Sequence, residues 1–423
     1  MFQTIRNAWN IPDLRKKMLY TLLMIFIFRL GTFIPVPGLN SSVLKQLVED
    51  SGNSLFSLLD SFSGGSFSNA TIFAMSITPY INSSIILQLL TVAIPALEKL
   101  AKEGEEGRKV IAKWTRYITI VLAFIQATGL YFGLGSAVMH KGILSYIVIV
   151  ATFTAGTAFL MWLGEEITDK GVGNGISIII FAGIVSRIPS MVYSLYQNYK
   201  NDAIAWYGVL FIAVFAIAMI AFVVFINDAE RRISVQYAKR MVGRKMYGGQ
   251  STHIPIKVAM AGVIPIIFAM SIMSFPSTIM AFTGTPESGF WAKVVQILFS
   301  PSSWVYITVY FLLIIFFTYF YTAIQFNPIE IANNMKNNGG SIPGIRAGKP
   351  TSDYISRILT RVTLIGAIFL GVVAAIPMVL GKFIGFSISI GGTSLLIMVG
   401  VALETVKQIE SQMLMRHYKG FLE

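Results

Sequence analysis

Long apolar runs separated by polar stretches dominate the chain. A membrane-spanning helix needs roughly 20 mostly apolar residues, and the sequence contains ten such runs. They cover about residues 18–35, 72–94, 115–134, 143–163, 175–190, 205–226, 258–282, 303–326, 359–380 and 388–405. The runs are continuous, whereas the strands of a membrane β-barrel alternate over about ten residues. The pattern therefore predicts an all-α integral membrane protein with ten transmembrane helices.

One stretch, Leu55–Leu90, breaks this pattern. Its second half, from about Thr71, is apolar enough to span a membrane, but its first half mixes Phe and Leu with many Ser and Gly residues and carries Asp60. Irregular backbone at membrane depth must be sheltered by protein or line a watery cavity. The stretch therefore predicts a broken helix facing a cavity, and an external loop with a few buried Phe residues is the alternative. Its small residues lead us to expect weak packing and movement at low cost.

Composition supports a membrane protein. Hydrophobic residues make up 55% and charged residues only 13% of the 423 residues, whereas soluble domains carry about 25% charged residues. The absence of cysteine excludes disulfides and Cys-ligated metal sites. The first run follows Arg15-Lys-Lys17, as in a signal peptide, but it lacks a small-x-small cleavage pattern and ends in Pro35-Val-Pro-Gly38. We interpret it as a retained first helix.

The distribution of positive charge predicts the topology. The connections alternate between two sides, and 26 of the 33 Lys and Arg residues lie on the side that also holds both termini. Six lie on the opposite side, among them Arg187 in the outer turn of the fifth run, and Arg29 lies inside the first run. Positive residues stay on the cytoplasmic side of a membrane. Both termini are therefore predicted to be cytoplasmic.

This topology divides the chain into two five-helix halves. Their opposite orientations are compatible with inverted repeats. The predicted segments are a cytoplasmic N-terminal segment 1–17, an N-terminal half 18–190, an external hinge loop 191–204, a C-terminal half 205–405 and a cytoplasmic tail 406–423.

Two cytoplasmic loops of the C-terminal half, about 227–257 and 327–358, are long and rich in charge. Simple connections between helices usually have 2–8 residues, so these loops are longer than a connection requires. Their positive residues would suit a docking partner, including the phosphates of RNA. Solvated loops beside anionic lipid are the alternative.

No catalytic or metal site is evident. The three histidines are far apart in the sequence, and HExxH, GxSxG and Walker motifs are absent. Gly171-Val-Gly-Asn-Gly175 is interpreted as a tight turn between two helices. Of the 20 acidic residues only Glu404 falls within a predicted span, whereas ion-coupled transporters place ionisable groups near the midplane. The sequence therefore predicts no cofactor, and it favours neither a secondary transporter of small solutes nor an intramembrane enzyme.

Ten short motifs lie along nearly the whole chain. They are Phe62-Ser-Gly-Gly65, Pro79-Tyr-Ile81, Gln88-Leu-Leu-Thr91, Met161-Trp-Leu-Gly-Glu165, Gly173-Asn-Gly-Ile-Ser177, Gln250-Ser-Thr-His-Ile-Pro255, Ala261-Gly-Val-Ile-Pro265, Phe326-Asn-Pro328, Pro343-Gly-Ile-Arg346 and Gly391-Gly-Thr-Ser-Leu-Leu396. Together and in this order they resemble the SecY family, the channel subunits of the bacterial protein-translocation complex.

The resemblance implies an hourglass channel between two five-helix halves arranged as a clam shell, with a short plug helix within about 55–69. The implied plug centre is Phe62, Ser63, Gly64, Gly65, Ser66 and Phe67. The implied pore ring is Ile77, Ile81, Ile180, Ile267 and Ile397. The implied lateral gate, between the second and third spans on one side and the seventh and eighth on the other, contains Asn82, Ser83, Gln88 and Ser271.

The resemblance also implies partners and a location. The SecA ATPase or the ribosome would dock on Arg231, Arg232, Lys239, Arg240, Arg244, Lys245, Arg346 and Lys349. SecE and SecG would be companion subunits, and signal sequences, unfolded precursor proteins and membrane lipid would also contact the channel. The implied location is the bacterial cytoplasmic membrane, and the implied function is a protein-conducting channel without enzymatic activity of its own.

Overall fold

The structure is a computed structural model, and it describes residues 2–50, 60, 63–135, 137–201, 205–237, 240–242, 245–247, 251–283, 303–384 and 392–419. The chain forms two compact units. The first comprises Met1–Leu210, Met270–Tyr306 and Ile397–Glu423, and the second comprises Phe211–Ala269 and Ile307–Leu396.

Helices build the first unit. Those before residue 201 are α1 (Phe2–Trp9), α2 (Pro12–Gly31), α3 (Ser41–Asp50), α4 (Thr78–Ala93), α5 (Pro95–Lys102), α6 (Glu105–Gly133), α7 (Ile143–Lys170) and α8 (Gly175–Lys200). Local sequence sets several of their ends. Pro79 occupies the first turn of α4, where its missing N–H and fixed φ are tolerated. The Asn174 side chain accepts hydrogen bonds from the N–H groups of Ile176 and Ser177 and so caps α8.

The glycine-rich connection between α7 and α8 is a tight turn, as predicted. Gly173 has φ +85°, which glycine adopts without steric cost. A Cβ atom on Gly175 would overlap the backbone carbonyl of Gly164. Glycine is therefore required where these two helices approach each other.

The second unit adds a small sheet to its helices. Its helices are the greater part of α9 (Trp206–Asp228), the start of α10 (Ile264–Thr283), most of α11 (Trp304–Gln325), α12 (Pro328–Asn337), α13 (Lys349–Ile384) and the first residues of α14 (Gly392–Lys419). The strands are β1 (Glu230–Tyr237), β2 (Arg240–Val242), β3 (Lys245–Tyr247), β4 (Ser251–Lys257) and β5 (Gly340–Ser341). Strands β4, β1 and β5 form one antiparallel sheet, and β2 pairs with β3.

Each of the ten predicted spans coincides with a helix of the structure, and the helical fold is confirmed. Among the described residues, α6, α7, α8, α9, α11 and α13 are long and apolar enough to cross a membrane. The α4–α5 pair, bent by 103°, makes a seventh candidate. Helices α2, α10 and α14 lie at the remaining predicted spans.

Among the predicted boundaries that differ from the structure, two lie close to the candidate site. The second span was expected from residue 72, but α4 begins only at Thr78, because residues 71–77 are held in turns. Helix α8 continues to Lys200, so most of the expected external loop 191–204 is helical. Polar residues end the apolar run near residue 190, but they do not end the helix. Arg187 consequently lies well inside α8 rather than in its outer turn.

Candidate functional site

Asp60 and residues 63–71 form a largely buried series of turns. Asp60 and Ser63 have helical conformation, and Gly64–Ala70 follow as turns, with Gly64 and Gly65 at φ +66° and +88°. Phe62 lies outside the described residues. Phe67 is 0% exposed and packs in a core formed with α6 and α7. Asp60, Ser63, Ser66 and Ala70 are also at most 2% exposed, so the described part is buried more deeply than an external loop with a few buried Phe residues would be.

Side-chain oxygens hold these turns together. The Ser63 hydroxyl accepts a hydrogen bond from the Phe67 N–H at 3.1 Å, and the Ser66 hydroxyl donates to the Ser63 carbonyl at 2.7 Å. Thr71 donates to the Ser66 carbonyl at 3.1 Å. The expectation of weak packing is therefore wrong for the described part, because its small polar side chains bond to the backbone of the segment itself.

The same segment is tied to its surroundings in the first unit. The Val36 N–H donates to the Ala70 carbonyl, and the Ile72 N–H donates to the Ile34 carbonyl. Ala70 and Ser76 adopt positive φ angles of 53° and 52°, which non-glycine residues rarely adopt. Such strained positions cluster at functional sites. They bracket the turns that delay the start of α4.

An ion pair anchors the segment to α8. Arg187 Nη2 lies 3.0 Å from Asp60 Oδ2, and the two side chains are 26% and 3% exposed. The other carboxylate oxygen, Oδ1, accepts a hydrogen bond from the Ser68 N–H at 2.8 Å. Sequence reasoning missed this pair, because 126 residues separate its members. The sequence offered only one hint of this ion pair, namely a single Asp in a half-apolar segment and an Arg within or beside an apolar run.

The five isoleucines of the implied pore ring lie on or directly beside helices α4, α8, α10 and α14. Ile77 directly precedes α4 and is 1% exposed, and Ile81 lies half-buried in the first turn of that helix. Ile180 is buried on α8. Ile267 is half-buried on α10, and Ile397 is 1% exposed on α14. Ile77 and Ile81 share one face by their spacing of four residues, and the ring itself stays a prediction.

The implied gate residues have different surroundings. The Ser83 hydroxyl donates to the Thr115 carbonyl at 2.8 Å and so joins α4 to α6, the two helices on one side of the predicted gate. Gln88 Nε2 bonds to Ser84 within α4. Asn82 and Ser271 are half-buried, on α4 and α10 respectively. The hydrogen bond from Ser83 fits the expectation that polar, uncharged residues link neighbouring helices.

The two long loops of the second unit meet in one sheet. Strand β1 of the first loop pairs with β4 along its length and with β5 of the second loop at Gln236–Ser341 and Tyr237–Gly340. Ile233 and Val235 point into a core with Met335 and Ile355. The strands were not predicted, although apolar and polar residues alternate from Arg232 to Gln236.

The implied docking residues are distributed around this sheet. Arg231 and Arg232 are exposed on β1, and Arg232 Nε pairs with Glu230 at 2.7 Å. Arg240 and Lys245 lie in β2 and β3, whereas Lys239 and Arg244 lie outside the described residues. Arg346 and Lys349 are exposed near the start of α13.

Comparison with known proteins identifies the family. A sequence model of the SecY family matches residues 71–406. A protein translocase subunit SecY of Streptomyces galbus is 49% identical over 442 aligned residues, and one of Halalkalibacterium halodurans is 50% identical over 435. Both alignments cover 100% of this chain and 100% of the relative.

Solved structures with the same fold include channels of this kind. A protein-conducting channel matches with a TM-score of 0.66 at 20% identity, and a SecY protein whose plug domain stabilises the closed channel matches with 0.64 at 19%. Canine Sec61, in a ribosome–channel complex from the endoplasmic reticulum, matches with 0.63 at 18%. Each match covers 94% of this chain and 92% of the other. By the sequence matches and by its fold, the chain belongs to the SecY family.

Proposed function

We propose that the chain is a protein-conducting channel that passes unfolded secretory polypeptides across a membrane and releases transmembrane segments sideways into lipid. The observation that carries this proposal is the full-length identity of about half with protein translocase subunits. The family favours the channel over the solute transporter considered from the sequence.

The segment 55–69 is the plug of this channel. Its described part is buried and internally bonded in the first unit, as a closing element must be. The structurally similar SecY protein has a plug domain that maintains a membrane seal, and we assign the same task to this segment.

The five isoleucines Ile77, Ile81, Ile180, Ile267 and Ile397 form the constriction. A channel for chains of any sequence cannot bind them tightly, and aliphatic side chains offer no hydrogen bonds that distinguish one chain from another. A hydrophobic constriction also resists wetting and so hinders ions. Isoleucine therefore meets both requirements, passage of varied chains and a barrier to ions.

The residues of the lateral gate are polar but uncharged. Asn82, Ser83, Gln88 and Ser271 carry side chains whose hydrogen bonds are worth about 0.6–2 kcal/mol each within a membrane. An interface of this kind separates without leaving a buried charge behind. The Ser83–Thr115 bond supports a role in which α4 and α6 move together on one side of the gate.

Contacts among distant segments support the predicted topology. The Thr4 hydroxyl donates to Glu410 at 3.0 Å, and Ala8, Val172 and Ile409 share one small core. The N-terminal segment, the α7–α8 connection and the tail therefore lie together, as segments on one side of a membrane do. By the positive-inside rule this side is cytoplasmic, and the membrane is the bacterial cytoplasmic membrane.

The sheet of the second unit is the docking platform for the driving partner. It presents Arg231, Arg232, Arg346 and Lys349 on exposed positions of two loops that are separate in the sequence. SecA or the ribosome would bind here, and arginine suits the carboxylates of a protein as well as the phosphates of RNA. SecE and SecG are the expected companion subunits. The structurally similar canine Sec61 belongs to a ribosome–channel complex.

Translocation by reconstituted vesicles tests the function. Vesicles that contain the full chain with SecE and SecG should, after addition of SecA, ATP and a secretory precursor, protect the precursor from external protease. Vesicles without the chain, and complete vesicles without ATP, are the controls. Uptake of small solutes in place of precursor protection would contradict the channel and favour the transporter.

A further inference from the structure

The Asp60–Arg187 ion pair does more than neutralise a buried charge. Asp60 lies within the proposed plug, whereas Arg187 belongs to α8, a helix that passes beside it. The pair therefore connects a segment that must leave its place with one that stays. A second contact, at Gly64, lies against the same face of α8.

Gly64 shows how closely the segment approaches α8. A Cβ atom on Gly64 would lie 2.8 Å from the Gly183 carbonyl oxygen and 2.9 Å from the Ser186 hydroxyl. Real Cβ atoms do not make contacts this short, and φ at Gly64 is +66°. Gly183 and Arg187 are four residues apart and share one face of the helix. The segment thus rests on α8 by a steric fit and by a charge contact one turn further along.

Asp60 also organises the turns themselves. Its Oδ1 accepts from the Ser68 N–H, and its carbonyl accepts hydrogen bonds from the Gly65 N–H and the Ser63 hydroxyl. A carboxylate that is 3% exposed needs partners for both oxygens. Arg187 supplies the partner of Oδ2, and the Ser68 N–H supplies the partner of Oδ1.

We propose that Arg187 is the positioning residue that holds the segment Asp60–Thr71 against α8 in the closed channel, and that the Asp60–Arg187 pair is a charge latch that separates when a polypeptide enters. The inference rests on the proposed plug role of this segment. Separation is easier in water than in a dry core, since hydration replaces the lost partner of each ion. Entry of a hydrated chain therefore releases the latch, and closure of the channel restores it.

Thiol accessibility measures the position of the segment directly. The chain contains no cysteine, so Ser66→Cys, at a buried position, is a unique reporter. Full-length protein in vesicles is labelled with a water-soluble maleimide present on both sides. Labelling should be slow in the parent and rise roughly tenfold or more with Asp60→Asn or Arg187→Gln, because removing one partner of a buried pair is strongly destabilising.

Arg187→Lys keeps a positive charge opposite an intact Asp60 carboxylate, so it should label more slowly than Arg187→Gln. Lys200→Gln, an exposed change at the end of the same helix, should leave the labelling rate unchanged. A second reporter, Thr119→Cys at a buried position of α6, separates release of the segment from general instability. The latch would be overturned if Ser66→Cys were labelled as slowly with Asp60→Asn and with Arg187→Gln as in the parent. It would also be overturned if these variants raised the labelling rate of Thr119→Cys as much as that of Ser66→Cys.

Ion conductance distinguishes failure of the latch from failure of the plug. Deletion of 62–67 should make the resting channel leak, as should Asp60→Asn and Arg187→Gln. A leaking deletion with tight single variants would overturn the latch and leave the plug in place. A tight channel after the deletion would contradict the plug role itself, whatever the thiol reporter shows.

Discussion

At the residue scale, some contacts that tie distant parts of the chain together cannot be read from the sequence. Asp60 and Arg187 are the clearest case, since no periodicity connects an acid before α4 with a base in α8. Removing one member of a buried pair costs about 3–5 kcal/mol in other proteins, so two residues can determine where a whole segment rests. The pore isoleucines carry no such charge, and only the family resemblance distinguishes them from ordinary core residues.

Replacing Ile81 and Ile397 together with Asn tests the constriction. Polar side chains would wet it, so we expect resting ion conductance to rise by about an order of magnitude and precursors with defective signal sequences to be exported. Conductance across planar bilayers and export of such a precursor are the measurements. The matched control, Ile81→Val with Ile397→Val, keeps the surface apolar and should stay tight. If the Asn variant is as tight and selective as the parent, both residues are ordinary packing.

At the element scale, apolar runs predict where helices lie better than where they end. Residues 191–200 continue α8 although they include Tyr193, Gln197 and Asn198, because polar residues lower hydropathy without breaking helical hydrogen bonds. At residues 71–77 the prediction from hydropathy errs in the opposite direction, because it places a helix where the chain forms turns. They are apolar, but the positive φ angles at Ala70 and Ser76 hold them in turns.

The sequence predicts that the two long loops are charged and bind a partner, but it does not predict that they form a sheet. The signal for a strand was the alternation in β1, where Ile233 and Val235 are buried and Ser234 between them is exposed. Pairing of β1 with β5 joins residues about a hundred positions apart, which no local pattern reveals. The tip of the second loop is shaped as its prolines and glycines predict. Gly344 and Gly348 have φ +81° and +102°, and the Thr351 hydroxyl bonds to the Arg346 carbonyl at 2.8 Å.

Arg346 is the residue of this loop on which docking should depend most. Its planar guanidinium suits carboxylates and phosphates, and Lys cannot reproduce that fork. We expect Arg346→Glu to abolish SecA-driven export with the protein still inserted, and Arg346→Lys to be partly active. Export of a reporter precursor and SecA affinity for mutant membranes are the measurements. Lys336→Glu, a charge reversal at an exposed position of α12, is the control. Normal export by Arg346→Glu would show that Arg346 is a solvated surface residue without a role in docking.

At the scale of the whole molecule, the sequence alone predicts a ten-helix membrane protein with large basic loops on one side. The match to the SecY family and the shared fold identify this membrane protein as a channel. The structure adds the internal organisation of each compact unit, namely the buried turns beside α8 in the first and the sheet that joins two loops in the second. The residues of the predicted pore ring come from four separate stretches of the sequence, so the ring cannot be recognised from the pattern of any single helix.

If polypeptides pass through this chain beside Ile81, a cysteine at that position should cross-link to a chain in transit. A secretory precursor with one cysteine is arrested during ATP-dependent translocation by a folded domain at its end. The channel carries Ile81→Cys as its only cysteine, or Ile217→Cys on α9, where the side chain is 68% exposed. We predict a disulfide with the arrested precursor at Ile81→Cys and none at Ile217→Cys. A protease-protected precursor that forms no adduct at Ile81→Cys, or equal adducts at both positions, would contradict the account.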